Sequence, residues 1–141
     1  MTNSAAIGKL KVIGYWIITG LLVFAIGSGG VAELARLPTN VEGIVHVLGY
    51  PLYFLTILGL WKVLGAIALL VPRFPRLKEW AYAGIFSNVT GAAASHAAVG
   101  DYDVYAFHVL VNLFLAVLVV ASWALRPESR TLGVLFPAKT G

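Results

Sequence analysis

Lys62 is the residue of this chain whose chemistry most needs a partner. It lies in a stretch, residues 44–71, with no other formal charge. That stretch is long enough to cross a bilayer. An ammonium at membrane depth costs at least about 2.5–3.5 kcal/mol on insertion scales, so it must pair or meet a wet cavity. Depth arithmetic nominates two partners. Counted from the inner ends of their segments, Lys62 lies nine residues before Val71, Asn88 eight after Trp80, and Thr19 seven after Val12. At about 1.5 Å per residue all three sit roughly 10–14 Å from one boundary. The ammonium has three donors, and the Asn and Thr oxygens accept. A polar node of Lys62, Asn88 and Thr19 is therefore expected. The competing reading has Lys62 snorkel toward Arg73 with its stem in lipid.

Histidine makes the second constellation. His46, His96 and His108 are the three in the chain, each on a different apolar segment near its outer end. Asn112 lies one turn from His108 on the same helical face, and His46, Tyr50 and Tyr53 follow i, i+4, i+7 spacing. His96 and His108 flank a short turn over residues 100–103, which places them on antiparallel neighbours at matching depth. The expectation is a cavity lined by His96, His108 and Asn112, open to the outer half of the membrane, with Tyr50 or His46 at its rim. Each imidazole comes alone from its segment, with no local ligand motif, so no metal is expected. Hydrogen-bonded interfacial histidines are the commoner use of such positions.

The elements that must position these groups are membrane helices. Of 141 residues, 60% are hydrophobic and 11% charged, against roughly 25% charged in soluble domains. The mean hydropathy is +0.88. Four apolar segments, about 12–33, 44–71, 80–99 and 104–125, each reach the length of a span and must be helical to pair their backbone groups. The fold class is thus all-α, an integral membrane four-helix bundle over residues 1–126, with a loosely held tail at 127–141. The second segment is overlong and is expected to tilt, to bend at Pro51 or to begin outside the hydrocarbon. The third is rich in Gly, Ala and Ser, which predicts close helix contact and a central position; Gly27, Gly29 and Gly30 predict similar close contact, or a bend, near the outer end of the first. Asp103 is the expected N-cap of the fourth.

Eight basic residues (Lys9, Lys11, Arg73, Arg76, Lys78, Arg126, Arg130, Lys139) fall on one side and Arg36 alone on the other. The positive-inside rule makes both termini cytoplasmic. Aromatic belts follow the same division, with Tyr15, Trp16, Trp80, Tyr82 and Trp123 inside and Tyr50, Tyr102 and Tyr105 outside. The first apolar run is about twice a signal-peptide core and reads as a retained helix. There is no cysteine, which excludes disulfides and thiolate chemistry. No phosphate loop, dinucleotide fingerprint, serine elbow or HExxH assigns a reaction. No basic run with interleaved aromatics points to nucleic acid.

Gly49-Tyr50-Pro51, the run 58–65 around Trp61-Lys62, Ala68 to Pro72, the run 77–84 around Trp80, and the later Gly91, Ser95-His96 and Gly100-Asp101 together resemble the DoxX-like family. The resemblance covers about residues 12–125. It implies a small four-helix protein of the bacterial inner membrane, and Tyr50, Pro51, Lys62, Tyr82 and His96 match its pattern. Relatives often carry an acidic residue where this chain has Asn88, which would turn a Lys–carboxylate pair into a Lys–amide pair. Some relatives resemble the membrane subunit of thiosulfate:quinone oxidoreductases, and most have no assigned activity.

Two functions of different class follow. One is a lipophile-binding protein or redox-associated subunit, with a quinone as the ligand the resemblance brings forward, entering between helices. The other is a non-enzymatic assembly factor that binds a membrane-protein partner or further copies of itself. A small oligomeric transporter is a weaker third, because four helices leave little room for a path.

Overall fold

The first segment is mostly apolar and holds no proline, and it folds with the residues before it as one 33-residue helix, α1 (Thr2–Leu34). The computed structural model describes residues 2–133, with the side chains of Thr2 and of residues 103–105 outside the description. The helix α1 therefore begins ten residues before the expected boundary at 12. Residues 3–13 are all exposed, so its first three turns project beyond the other helices.

The second apolar segment is not one helix. A short helix α2 (Pro38–Val41) leads into a π-helical turn (Glu42–Val47), and α3 begins only at Tyr53 and ends at Leu70. The break falls where Gly49 takes φ +77° and Pro51 follows. Proline removes an N–H and drives the preceding residue from helical geometry. His46 and Tyr50 thus lie before the helix, and the expected row of His46, Tyr50 and Tyr53 on one helical face does not form. The remaining helices are α4 (Pro75–Ala98), with proline at its first turn, and α5 (Asp103–Leu125). Tyr102 occupies the cap position of α5; the Asp103 side chain expected there lies outside the described residues. Every regular element among the described residues is helical.

Each long helix buries one stripe at three- and four-residue spacing. On α1 it is Tyr15, Thr19, Leu22, Ile26, Gly30 and Glu33; on α4 it is Tyr82, Ile85, Val89, Ala93 and His96. Leu22, Ile26, Leu69, Ile85, Val89 and Val119 meet in one core. The helix α1 packs on α3 and α5, and α4 packs on α5 and more sparsely on α3. The outward faces carry large apolar side chains such as Phe24, Trp61, Phe114 and Val117. An apolar surface this continuous belongs in lipid rather than water. Among the described residues three helices are long and apolar enough to cross a membrane: α1, α3 and, from Ala106, α5.

The close helix contact is not where the small residues cluster. A Cβ on Gly30 would lie 2.8 Å from the Lys62 Cβ and 2.9 Å from the Gly59 carbonyl, and one on Gly59 would lie 2.6 Å from the Gly30 carbonyl. The tightest crossing thus joins α1 to α3. On α4, a Cβ on Gly84 or Gly91 would meet nothing within 4 Å. The small residues of α4 leave space instead of closing it.

Tyr15 also departs from expectation: it is fully buried and belongs to no interfacial belt. The described part of the tail is tied down. Arg130 in the 3-10 turn Glu128–Arg130 donates to the Leu69 carbonyl at 2.9 Å and to that of Leu70 at 3.3 Å, and its guanidinium lies 4.6 Å from the centre of the Trp16 ring. Residues 134–141 lie outside the described residues.

Candidate functional site

The space left by α4 forms a cleft of about 530 Å³ between α3 and α4, within the size range of small-molecule sites. Trp61 and Leu58 of α3, Trp80 and Gly84 of α4, and Ile26 of α1 behind them make its walls mostly apolar. Its polar groups are few: Lys62 on α3, with Ser87 and Asn88 on α4. Lys62 and Asn88 thus share one cavity. Thr19 does not join them. Its hydroxyl is 2.7 Å from that of Ser122, which in turn lies 2.8 Å from the Tyr82 hydroxyl, all buried among α1, α4 and α5.

The partner of Lys62 is Glu33. Its ammonium donates to Glu33 Oε1, and the carboxylate is 2% exposed against 20% for the lysine. The second oxygen of Glu33, Oε2, is buried without a hydrogen-bond partner among the described residues. The Gly30–Gly59 crossing explains how this pair is made. The helices run antiparallel there, with Gly30 beside Lys62 and Gly59 beside Leu34, so Glu33 and Lys62 lie within about one turn of each other at the crossing and their side chains meet across it. The same crossing explains the misplaced Thr19. Lys62 is level with Gly30, and Thr19 lies eleven residues further along α1, about 16 Å away. The depth count had assumed that α1 starts at Val12.

At the opposite end of α4, His96 and His108 come together around Asp101. Their Nδ1 atoms lie 2.6 Å and 2.9 Å from one oxygen, Asp101 Oδ2. The hydrogen bond from His96 above all holds the Asp101 carboxyl below its ordinary range; burial opposes it, and the hydrogen bond from His108 and the charges of both rings add to the lowering. The rings stack with centroids 4.8 Å apart and planes 19° apart, so no ligand fits between them. One ligand atom from each of His96, Asp101 and His108 lies within 4.8 Å of the others, a spacing that a metal-binding group could have. Asn112 donates from Nδ2 to the His108 carbonyl at 2.8 Å, and the Tyr50 and Ser95 hydroxyls are 3.1 Å apart on the α3–α4 side. His46 is exposed on the π-helical turn. Asp101, which anchors the cluster, escaped the choice of site residues because it reads as a turn residue.

A second polar cluster, also missed, closes the other end. Lys78 is fully buried and donates to the Ala68 carbonyl at 2.8 Å, to that of Leu69 at 3.4 Å, and to that of Val71. It satisfies the last carbonyls of α3, where a cation is favoured. Burial lowers the Lys78 pKa, and the nearby Arg130 and Arg126 lower it further. Arg126 pairs with Glu79 and lies 5.2 Å from the centre of the Tyr82 ring. Burial pushes the Glu79 carboxyl up, but hydrogen bonds from Trp123 and Arg126 and the Arg126 charge together leave it below its ordinary range.

No curated protein and no solved structure matches the chain. The family model of the DoxX-like family matches residues 17–122. That interval runs from α1 through α5 and holds Glu33, Lys62, Asn88, the histidine clasp and the whole α3–α4 cleft, and the chain is a membrane protein that belongs to the DoxX-like family.

Proposed function

We propose that this DoxX-like chain is a four-helix bundle crossing the bacterial inner membrane, with both termini cytoplasmic, that binds a lipophilic small molecule in the α3–α4 cleft. The observation that carries the reading is the cleft itself: about 530 Å³, apolar walls, and Lys62 with Asn88 as its polar contacts. Sites of this kind use apolar area for affinity and a few polar groups for orientation. The exposed Trp61 and Trp80 flank an entry from the lipid side. A quinone is the ligand the family resemblance brings forward, and a role as membrane subunit beside a redox partner follows from that resemblance.

Native mass spectrometry of protein released from mild detergent tests the reading. A retained lipophile, lost when Gly84→Phe fills the cleft, is the expected result. An unchanged ligand load in a folded Gly84→Phe protein overturns it.

One observation favours a partner-binding role instead. Residues 3–13 of α1 are exposed along three turns beyond the other helices, and include Ile7, Leu10 and Ile13 beside Lys9 and Lys11. Deletion of residues 2–11 that abolishes function while leaving the ligand load intact would make that handle the primary one.

A further inference from the structure

We propose that the Glu33–Lys62 pair makes the α3–α4 cleft selective for uncharged lipophiles with a hydrogen-bond-accepting head, and that the cleft rejects lipophilic anions such as fatty acids. This rests on the reading of the cleft as a ligand site.

A lysine at the polar end of an apolar cleft invites an anion. Here the invitation is cancelled from behind. Glu33 comes from α1, outside the cleft lining, and occupies Lys62 with one oxygen while its other oxygen is buried and unpartnered. An anionic head at Lys62 would set two negative charges on one ammonium in a medium of low dielectric. It could displace Glu33 only by leaving a carboxylate that is 2% exposed with neither oxygen paired. A neutral head meets neither cost. The ammonium has three N–H donors, and Glu33 takes one. Lys62 makes no other hydrogen bond among the described residues, so it retains donors for a carbonyl or ether oxygen. The Asn88 amide on the opposite wall adds neutral donors and an acceptor without adding charge.

The test uses two photoactivatable probes with the same long alkyl chain, one ending in a methyl ketone and the other in a sulfonate that stays ionised. Full-length protein in maltoside micelles is labelled with each, and labelled peptides of α3 and α4 are counted by mass spectrometry. The ketone should label the cleft at least about tenfold more than the sulfonate, since like-charge juxtaposition costs several kcal/mol. Equal or stronger labelling by the sulfonate overturns the selectivity while leaving the ligand site standing. Labelling by neither probe overturns the ligand site and the selectivity with it. In Glu33→Gln the lysine charge is no longer cancelled, and the ratio should fall to about unity or reverse. An unchanged ratio in a folded Glu33→Gln protein also overturns the proposal. If that variant does not fold, the comparison on the wild-type chain decides alone.

Discussion

Lys62 and Glu33 depend on each other more than either contributes alone. Removing one member of a buried pair strands the other, which typically costs about 3–5 kcal/mol, whereas replacing both with apolar or neutral groups costs far less. Lys62→Met should therefore lower thermal stability in detergent markedly, and Glu33→Gln combined with Lys62→Met should recover most of the loss. A single variant as stable as wild type would mean that the pair is not formed. The Asp101 clasp responds to acid. A carboxyl held low in the fold adds stability at every pH above its unfolded value near about 4, and loses it as pH falls through the lower folded value. Asp101 is held low by His96 and then His108. The wild-type melting temperature should fall below about pH 4 more steeply than that of Asp101→Asn; parallel acid profiles would detach Asp101 from the histidines. A need for a partner was legible at Lys62, because burying a charge is costly whatever the fold. Which partner was not legible, because it depends on how α1 slides against α3.

That sliding is set at the scale of the helix pair. Gly30 and Gly59 let the backbones of α1 and α3 touch, and a methyl group on either would overlap backbone or Cβ atoms. Gly30→Ala and Gly59→Ala should each push the helices apart, costing about 1–3 kcal/mol as overpacking does and loosening Glu33 from Lys62. Gly84→Ala, which meets open space, should leave stability near wild type. Thermal unfolding of the three variants checks the ranking, and a Gly84 variant as damaged as Gly30→Ala would contradict it. Segment positions were legible from apolar runs and prolines to within a few residues for α4 and α5. The start of α1 was not, because Lys9 and Lys11 look like a membrane boundary while Thr2 to Val12 hold no proline to end a helix there. The small residues of α4 were legible as unusual but ambiguous in effect, since small side chains either admit a neighbouring backbone or leave a void.

Across the whole molecule, topology turns on whether α4 crosses the membrane. Its Ser87, Asn88, Thr90, Ser95 and His96 keep it outside the three helices apolar enough to qualify on composition alone. If it did not cross, the chain would have three spans and α5 would leave its C-terminus opposite the N-terminus. If it crosses, both ends share one side. Three contacts favour crossing. Arg130 after α5 reaches the Leu69 and Leu70 carbonyls at the end of α3. Lys78 at the start of α4 reaches the same end through Ala68 and Val71. Arg126 at the end of α5 pairs with Glu79 in the first turns of α4. The end of α3, the start of α4 and the end of α5 therefore meet at one level, with Trp16 of α1 against Arg130. Helices packed in this way run the same depth range. Three of the five polar groups of α4 are covered: His96 binds Asp101, Ser95 meets Tyr50, and Thr90 bonds back to the Phe86 carbonyl at 2.7 Å, while Ser87 and Asn88 line the cleft. A helix with its polar groups so matched can span on the strength of its neighbours. Under the proposed topology Lys9, Lys11, Arg73, Arg76, Lys78, Arg126 and Arg130 would share one side, the cytoplasmic one by the positive-inside rule. A reporter active only in the periplasm, fused after Leu125, should be silent, and one inserted near Asp101 should be active. Periplasmic activity at the C-terminal fusion would leave α4 uncrossed and place Arg126 and Arg130 on the side that the positive-inside rule disfavours.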